Sequence, residues 1–458
     1  MESRGSDSSD DLDDELERLF DSKRSNVTSQ PAAETCMIKN LELHFMPEEV
    51  VIKILMKLPV FYICMLSCAC KRYSEICRSS RQLWKALFVD RWGGKEECRP
   101  HEHPLSNGWN EIEEGDYDKL YQYWHVVDNN WQRGLFSVHS LEGHRGSVNS
   151  CKLLGETLLT VGEDRTIGWW DLESLTCTWV EQNSHSGSVW DLATFDDYVV
   201  TSSADSTLKL WQCGVDQISG SSSPMSCLRI LKGHRPGYVW CCDMDGGNIY
   251  SGSADTTVKV WDFETGSNYQ TLKAHNSSVF VVRASKDNGE SSYSPHKSLL
   301  SVSSDGKILL WDLRTEKTGL SFTDGTEENP VFSADLIQEQ NLIIVGSGDK
   351  CVKKFDIRTG ECLATLIGHD DSIWSICYNS LSRRLVSGSV DCGVRVWDCF
   401  SDTCIAEMTC HMQSVCSVAA DARRVVSGDI GGWIFIWDFE RKNVSCEYQA
   451  LMTHTGPM

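Results

Sequence analysis

Residues 251–262 read SGSADTTVKVWD, and this stretch is one copy of a pattern that recurs along the last two-thirds of the chain. Each copy ends a strand-like run in an aromatic residue, usually followed by Asp, and an Asp stands at or near six residues before that aromatic. The seven endings are Trp170-Asp171, Trp211, Trp261-Asp262, Trp311-Asp312, Phe355-Asp356, Trp397-Asp398 and Trp437-Asp438. Their spacing of roughly 40 to 50 residues is typical of one four-stranded propeller blade.

Most copies also contain an upstream His and a Ser or Thr four residues before the turn Asp. Two complete sets are His144, Thr160, Asp164 and Trp170, and His234, Ser251, Asp255 and Trp261. The pattern resembles the WD40 repeat over about residues 136 to 451. This resemblance implies a mainly β fold, a seven-bladed WD40 propeller in which the four side chains form a hydrogen-bonded relay across the blade. Because the set recurs in nearly every copy, we interpret it as structural rather than as a catalytic triad.

Two copies depart from the pattern. The fifth has Phe355 for Trp, Val345 for Ser or Thr, and Asn329-Pro330 for Gly-His, so its relay cannot form and packing alone is expected to hold it. In the seventh, Gly431 stands six residues before Trp437 and Asp429 stands two residues earlier. We therefore expect an altered tight turn in the seventh blade.

Composition limits the classes of function. An odd number of Cys, 21 in 458 residues, indicates reduced thiols and a cytoplasmic or nuclear compartment. No apolar run approaches the ~18 residues of a membrane span, and the net charge of −22 argues against nucleic-acid binding. Cys98, His101 and His103 are metal-ligand residue types without a second pair nearby, so neither a metal nor a cofactor is expected.

Residues 45–88 have the character of a helical docking motif. Pro47 suits the first turn of a helix, and apolar residues at Val51, Ile54, Leu55 and Leu58 follow at helical spacing before Pro59. Apolar residues lie on more than one side of this short helix, so packing within its own domain would not cover all of them. The uncovered apolar residues predict a surface that binds a partner.

This segment resembles the F-box, with Met46-Pro47-Glu48-Glu49 at its usual opening and Ala69-Cys70-Lys71-Arg72-Tyr73 in its second half. The resemblance implies docking on a Skp1-like adaptor and its cullin ligase core, with Met46, Pro47, Ile54, Leu55 and Leu58 facing Skp1. The chain would then be a substrate-recognition subunit of an SCF-type ubiquitin ligase and not itself an enzyme. The alternative is a WD40 scaffold outside a ubiquitin ligase, whose helical domain binds another protein. A propeller hydrolase is disfavoured because no unrepeated nucleophile-base or metal cluster is present.

Four regions follow from these features: an acidic disordered tail at 1–40, the F-box domain at 41–90, a helical and loop linker at 91–135, and the propeller at 136–458. Part of the tail has the alternative of forming a partner-binding helical face with Leu12, Leu16, Leu19 and Phe20. Residues 129–134 resemble the joint that enters the propeller in F-box/WD40 proteins. Phe136 to Leu141 is predicted to complete the seventh blade, in competition with Glu447 to Leu451.

The WD40 resemblance also places a substrate site. In such repeats the residue five after the His faces the mouth of the central channel, which here selects Asn149, Trp190, Phe280, Trp374 and Cys416, with Trp240 one residue later. Related receptors for phosphorylated degrons carry several Arg side chains there, whereas this chain matches that scheme only at Arg165, with Arg145, Arg235 and Lys350 as possible neighbours. We predict that Trp190, Trp240, Phe280, Trp374 and Arg165 bind a protein substrate, through an apolar or basic unmodified segment. The alternative is that these rings only pack between blades.

Overall fold

The computed structural model describes residues 48–56, 72, 75–77, 80–92, 117–213, 225–234, 236–285, 298–314, 317–322, 329–337 and 340–440. The chain divides into two units, Met1–Tyr121 and Gln122–Met458. The described helices are α1 (Glu48–Met56), α2 (Arg81–Trp92) and α3 (Tyr117–Arg133), and the boundary between the units falls within α3.

In the first unit α1 packs against α2. Val51 and Leu55 lie one turn apart on α1 and are buried, as are Leu83 and Leu87 on α2. Ser80 is the N-cap of α2, and its Oγ accepts a hydrogen bond from the Leu83 N–H at 3.3 Å. The apolar faces of these two short helices therefore close on each other.

The second unit is built from antiparallel strands. In chain order they are β1 (Ser137–Glu142), β2 (Val148–Leu154), β3 (Thr157–Gly162), β4 (Ile167–Asp171), β5 (Thr176–Glu181), β6 (Val189–Phe195), β7 (Tyr198–Ser203), β8 (Thr207–Cys213), β9 (Met225–Lys232), β10 (Val239–Asp245), β11 (Asn248–Ser253), β12 (Thr257–Asp262), β13 (Asn268–Lys273), β14 (Val279–Ala284), β15 (Ser298–Ser303), β16 (Ile308–Asp312), β17 (Lys317–Phe322), β18 (Val331–Ile337), β19 (Leu342–Ser347), β20 (Cys351–Asp356), β21 (Cys362–Ile367), β22 (Ile373–Asn379), β23 (Arg384–Ser389), β24 (Val394–Asp398), β25 (Cys404–Met408), β26 (Val415–Ala420), β27 (Arg424–Asp429) and β28 (Trp433–Asp438).

These strands form seven four-stranded sheets, the blades of a propeller. Blades one to six each use four consecutive strands from β2 to β25, whereas the seventh has the order β1-β28-β27-β26. Leu141 of β1 lies opposite Ile434 of β28 in an antiparallel register that runs from Ser137 to Glu142. The predicted closure by the N-terminal strand is confirmed, and the rival segment 447–451 lies outside the described residues.

The apolar core lies between neighbouring blades. One cluster, for example, joins Leu159 and Val161 of β3 to Val189 and Leu192 of β6, all of them fully buried. Alternate residues of the strands supply these contacts, as expected for sheets that pack face to face. Each blade therefore depends on both of its neighbours for burial of its apolar side chains.

The C-terminal half of α3 is fastened to the seventh blade. Trp131 stacks on Phe439 with ring centroids 3.7 Å apart and an interplanar angle of 7°. Its indole N–H donates to the Ala422 carbonyl at 3.0 Å, and the Asn130 amide donates to the Phe439 carbonyl at 2.7 Å. The predicted joint at residues 129–134 is thus a buried contact in which both polar side chains have partners.

The predicted relay is complete in five blades, whereas in the fourth blade His275 Nδ1 lies 3.6 Å from Asp305 and forms no hydrogen bond with it. In the first, the Trp170 indole N–H donates to Thr160 Oγ1 at 2.8 Å, His144 Nε2 lies 2.8 Å from the same oxygen, and His144 Nδ1 lies 3.1 Å from Asp164. The third blade repeats this arrangement with His234, Ser251, Asp255 and Trp261 at 2.7 to 2.8 Å. The remaining sets are His185, Thr201, Asp205 and Trp211; His275, Ser301, Asp305 and Trp311; His369, Ser387, Asp391 and Trp397; and His411, Ser427, Asp429 and Trp437.

The fifth blade differs from its prediction. Val345 and Phe355 are buried in an apolar cluster, so the relay is absent as expected. However, the Lys353 ammonium forms an ion pair with the turn carboxylate of Asp349, and its side chain is only 9% exposed. The expectation that packing alone holds this blade is therefore wrong, because a lysine takes the place of the missing histidine beside the turn Asp.

The seventh blade keeps its turn. Gly432 N–H donates to the Asp429 carbonyl at 3.3 Å, as Cys392 N–H donates to the Ser389 carbonyl at 3.2 Å in the sixth blade. Gly432 has φ +88°, the left-handed conformation that Cys392 adopts in the same turn position with φ 68°. The predicted alteration is wrong for the backbone and applies only to the carboxylate, which now comes from Asp429.

None of the described helices is long and apolar enough to cross a membrane.

Candidate functional site: the mouth of the central channel

A β-bulge in the innermost strand of every blade builds the mouth of the central channel. In β2 the pairing register jumps from Val148 to Ser150, and each of the other six innermost strands jumps at the equivalent point. The bulged residues are Asn149, Trp190, Trp240, Phe280, Phe332, Trp374 and Cys416. All seven line one cavity of about 490 Å³. A bulge re-aims a side chain away from the strand face, so this ring of residues points at the channel.

Four of these side chains form a continuous aromatic arc, defined as Trp190, Trp240, Phe280 and Phe332. Successive ring centroids lie 4.7, 5.5 and 5.8 Å apart. Tyr238 extends the arc outward, because its ring meets Trp240 edge-on at 5.7 Å and is 51% exposed. The arc covers four adjacent blades and therefore makes one side of the mouth apolar.

The indole N–H groups of Trp190 and Trp240 are buried and have no acceptor among the described residues. An unpaired buried donor costs about 1–3 kcal/mol, and such groups are rare in cores that serve packing alone. The relay tryptophans, in contrast, all donate to a Ser or Thr oxygen. The four rings of the arc are nevertheless partly exposed where they line the cavity, so their faces are available to a ligand.

The opposite side of the mouth is small and polar. Asn149 donates through Nδ2 to the Val189 carbonyl at 2.8 Å and accepts from Ser147 Oγ at 2.7 Å. Burial raises the pKa of the Cys416 thiol to about 12, with smaller contributions from the carboxylates of Asp429 and Glu163. Cys416 is therefore a neutral thiol on an acidic wall.

Below the mouth, three carboxylates join neighbouring blades. Asp191, Asp243 and Asp335 each accept the N–H of the following residue and a second N–H from the next blade. Those second donors are Cys242 at 3.2 Å, Ala284 at 2.8 Å and Tyr378 at 2.9 Å respectively. These contacts fix the innermost strands, and so the spacing of the bulged residues above them.

Arg283 occupies the same part of the channel and donates to the Val282 carbonyl at 3.0 Å. Burial lowers the pKa of its guanidinium, but Asp191, Asp243 and Asp335 raise it by more, so the group stays charged. With Lys152 the channel lining holds three carboxylates and two cations. The lining is slightly acidic.

The environment of the relay aspartates keeps their carboxylates charged. Burial raises the pKa of Asp164, but hydrogen bonds from His144, the Arg145 N–H and Thr166 lower it by a larger amount, so its pKa lies well below its usual range. The same balance brings the pKa of Asp255 down to about 2. Burial lowers the pKa of His369, partly offset by Asp391. Because the hydroxyl of each relay is bonded to both a His and a Trp, it is engaged in structure rather than free to act as a nucleophile.

Four of the predicted substrate-binding residues, Trp190, Trp240, Phe280 and Trp374, line the mouth. Arg165 is exposed on the turn between β3 and β4, with φ 67°, and does not line the cavity. Sequence reasoning missed Phe332, because the fifth copy lacks the His from which the position was counted. The Val-aromatic pair that begins β6, β10 and β14 also begins β18, as Val331-Phe332, and was an available signal.

The predicted Skp1-facing residues fall mostly outside the described part of the chain, which contains neither Met46, Pro47 nor Leu58. Ile54 lies in α1, but its side chain is outside the described part. Leu55 is only 1% exposed. Its predicted contact with Skp1 stays a prediction.

Among the described residues, no group of three or more His, Cys, Asp or Glu side chains is arranged to hold a metal ion. Cys98, His101 and His103 lie outside the described residues.

Comparison with known proteins agrees with this architecture. The family model "WD domain, G-beta repeat" matches residues 136–171, 176–212, 225–262, 266–312, 360–398 and 402–438, about half of the chain. It passes over the fifth blade, where the relay is missing. The family model "F-box-like" matches residues 43–90.

Several known proteins are similar in sequence to part of this chain. The chain is 30% identical over 251 residues to the DENN domain and WD repeat-containing protein SCD1 of Arabidopsis thaliana, covering 54% of this chain and 19% of that protein. It is 24% identical over 318 residues to the Ribosome biogenesis protein WDR12 homolog of Drosophila mojavensis, covering 66% and 74%. It is 24% identical over 293 residues to human Striatin-3, covering 61% and 30%.

Among solved structures, the WD40 β-propeller domain of Doa1 matches with a TM-score of 0.55 at 23% identity, covering 67% of this chain and 97% of that one. That likeness concerns the fold. Six repeats match the family model, the structure supplies the unmatched fifth blade, and an F-box-like segment precedes them in the sequence. The chain therefore belongs to the WD-repeat family as an F-box/WD40-repeat protein.

Proposed function

We propose that this chain is the substrate-recognition subunit of an SCF-type ubiquitin ligase. Its F-box would dock on a Skp1-like adaptor, and the mouth of the propeller would capture a protein for ubiquitination. The observation that carries the proposal is the F-box-like match at 43–90 ahead of a closed propeller with an aromatic channel mouth. We expect the protein in the cytoplasm, the nucleus or both, where such ligases act.

The contribution of such a subunit is proximity. A receptor that holds a substrate near a charged E2 turns an encounter between two diffusing proteins into a reaction within one assembly. No chemical group of the propeller has to take part. This role fits relays whose hydroxyl groups are already engaged by His and Trp.

Capture at the mouth is supported by the arc. Aromatic side chains in concave, partly desolvated positions dominate many protein interfaces, and the rings of the arc are partly exposed where they line the cavity. The bridging carboxylates below hold the arc in place, so little ordering is needed on binding.

The ligase half of the proposal is tested by co-purification of Skp1 and cullin with the full chain. Met46→Arg combined with Leu58→Arg should abolish both, because charges would enter a dry contact. Lys85→Glu, a charge change at an exposed site on α2, is the matched control and should retain binding. Leu55 is unsuitable as a probe, since its burial would confound docking with folding. Skp1 retained by the double variant would refute the proposed docking; a chain that binds no Skp1 at all would favour the scaffold alternative.

The capture half is tested by the proteins retained on the chain when the cullin is inhibited. Single changes of Trp190, Trp240 and Trp374 to Ala should each weaken retention more than Arg165→Ala does, with Skp1 binding unchanged. If Arg165→Ala is the more damaging and phosphatase treatment releases the retained protein, a phosphorylated degron is the substrate instead.

A further inference from the structure

An exposed carboxylate lies next to the polar side of the channel mouth, one hydrogen-bonded residue away from the cavity lining. Glu163 directly precedes the relay residue Asp164 in the turn between β3 and β4, and its Oε2 lies 3.4 Å from Ser147 Oγ. Ser147 in turn donates to Asn149, one of the bulged residues. Within the described part of the chain Glu163 forms no ion pair. Glu163 therefore places a carboxylate with no ion-pair partner of its own beside the mouth.

This carboxylate and the aromatic arc belong to the same opening. Asn149 is bonded to the Val189 carbonyl, directly before Trp190 in β6, so the acidic wall adjoins the first ring of the arc. A Cβ added to Gly432 of the seventh blade would lie 3.1 Å from the carbonyl oxygen of Gly146, which precedes Ser147, so Glu163 is near that blade as well. The opening thus combines ring faces on one side with a carboxylate on the other.

Such a combination suits one kind of side chain. A Lys or Arg side chain has an apolar stem that packs on aromatic rings and a charged head that is attracted to ring faces and carboxylates. The deeper lining has one carboxylate more than its two cations, and the whole chain has a net charge of −22. A phosphate group would meet repulsion from these charges, and a purely aliphatic side chain would leave Glu163 unused.

Resting on the proposed capture role, we infer that the channel mouth binds a lysine or arginine side chain of the captured protein, with its stem against Trp190 and Trp240 and its charged head toward Glu163. The cavity of about 490 Å³ falls within the roughly 300–1,000 Å³ of ligand pockets. A whole side chain and its adjoining peptide groups therefore fit. Glu163 is a specificity residue in this arrangement, and the arc supplies most of the contact.

The test is selection from a nine-residue peptide library by the immobilised full chain. The central position is each ordinary residue or phosphoserine in turn, and the flanking positions are randomised. Lys and Arg should be enriched about fivefold over Leu and Phe. Glu163→Gln should reduce that enrichment about three- to fivefold while leaving Leu and Phe unchanged. Glu264→Gln, which alters an exposed Glu in the turn between β12 and β13, is the control and should change nothing.

Three outcomes would overturn the inference: equal enrichment of Leu or Phe, enrichment of phosphoserine that disappears in Arg165→Ala, or no enrichment at the central position. Skp1 is absent from this experiment. A failure of F-box docking would therefore leave the peptide result intact, and a failure here would leave the docking result intact.

Discussion

His411 Nδ1 lies 2.8 Å from Asp429, although Asp429 stands where the sixth blade has Ser389. The seventh blade reaches the histidine with a carboxylate placed two residues earlier in the chain, and Gly431 leaves space for it. The relay of the seventh blade thus has the same arrangement of atoms as that of the sixth, although the spacing of its residues along the chain differs. Asp429 is also almost fully buried, at 2% side-chain exposure, which a carboxylate tolerates only when its oxygens are bonded.

Removing one relay hydroxyl should destabilise the propeller. Ser251→Ala leaves the Trp261 indole N–H and His234 Nε2 without their common partner in a site with no exposure, so we expect a loss of about 1–3 kcal/mol in the free energy of unfolding. Chemical denaturation measures this loss. The control Ser226→Ala, at an exposed position on β9, should stay within about 0.5 kcal/mol of the parent. Equal effects of the two changes would contradict the relay's energetic role.

Removing the lysine of the ion pair in the fifth blade should lower the free energy of unfolding more than removing the lysine at the same strand position in another blade. Lys353→Ala leaves the partly buried Asp349 carboxylate unpaired, with an expected cost of about 3 kcal/mol. Lys259 stands at the equivalent place in β12 and donates to Thr271 at 3.0 Å, so Lys259→Ala should cost less than about 1 kcal/mol. Urea unfolding of both variants measures the difference. A smaller loss for Lys353→Ala would mean that packing alone holds this blade after all.

Substituting two glycines with positive φ by Ala should distinguish the cost of backbone strain from the cost of a steric clash. Gly155 has φ +58° and open space around an added Cβ, so Gly155→Ala should cost only about 1 kcal/mol. Gly432 has φ +88°, and an added Cβ would lie 2.6 Å from the His144 carbonyl oxygen. Gly432→Ala should therefore lower the melting temperature clearly further than Gly155→Ala. Similar melting temperatures would show that the seventh-blade turn relaxes freely.

Buried neutral histidines should make stability depend on pH. Burial lowers the pKa of His369 and His275 below the unfolded value of about 6.5. As the pH falls below about 6.5 the unfolded chain therefore takes up protons that the folded chain does not, and the stability that these residues contribute is lost. The measurement is the melting temperature between pH 7.5 and 5.5 for the parent and His369→Asn. The variant, although less stable throughout, should lose less on acidification; an equal or greater loss would contradict this account.

Ring closure by β1 predicts opposite results for changes at the two ends of the chain. Deleting residues 445–458 leaves every pair between β1 and β28 in place, so the melting temperature should change little. Leu141→Asp puts a charge into a site that is 4% exposed opposite Ile434 and should lower it strongly. A large loss on deletion of the C-terminal segment would show that this segment also supports the ring.

The parts of this protein that sequence predicted well are those in which one residue type performs one repeated task. The relay sets and the Trp endings could be read directly, since a buried hydroxyl between a His and a Trp leaves few substitutes. Asp429 and Lys353 could not be placed, because in both cases a side chain reaches the required point from a different position. Phe332 was missed for a related reason: its place was counted from a histidine that the fifth blade lacks. Helical spacing placed Leu55 on the apolar face of α1, but it could not show that neighbours within the chain cover this side chain.

The pairing of β1 with β28 also has a consequence for biosynthesis. The first propeller strand leaves the ribosome roughly 300 residues before its partner, and at about 5–20 residues per second it waits for tens of seconds. During that time its edge is open to other chains, which is a recognised aggregation hazard. We expect nascent chains stopped before Trp433 to be held by chaperones and to be sensitive to protease at residues 137–142. Chains extended past Asp438 and clear of the ribosomal tunnel should become resistant at the same place.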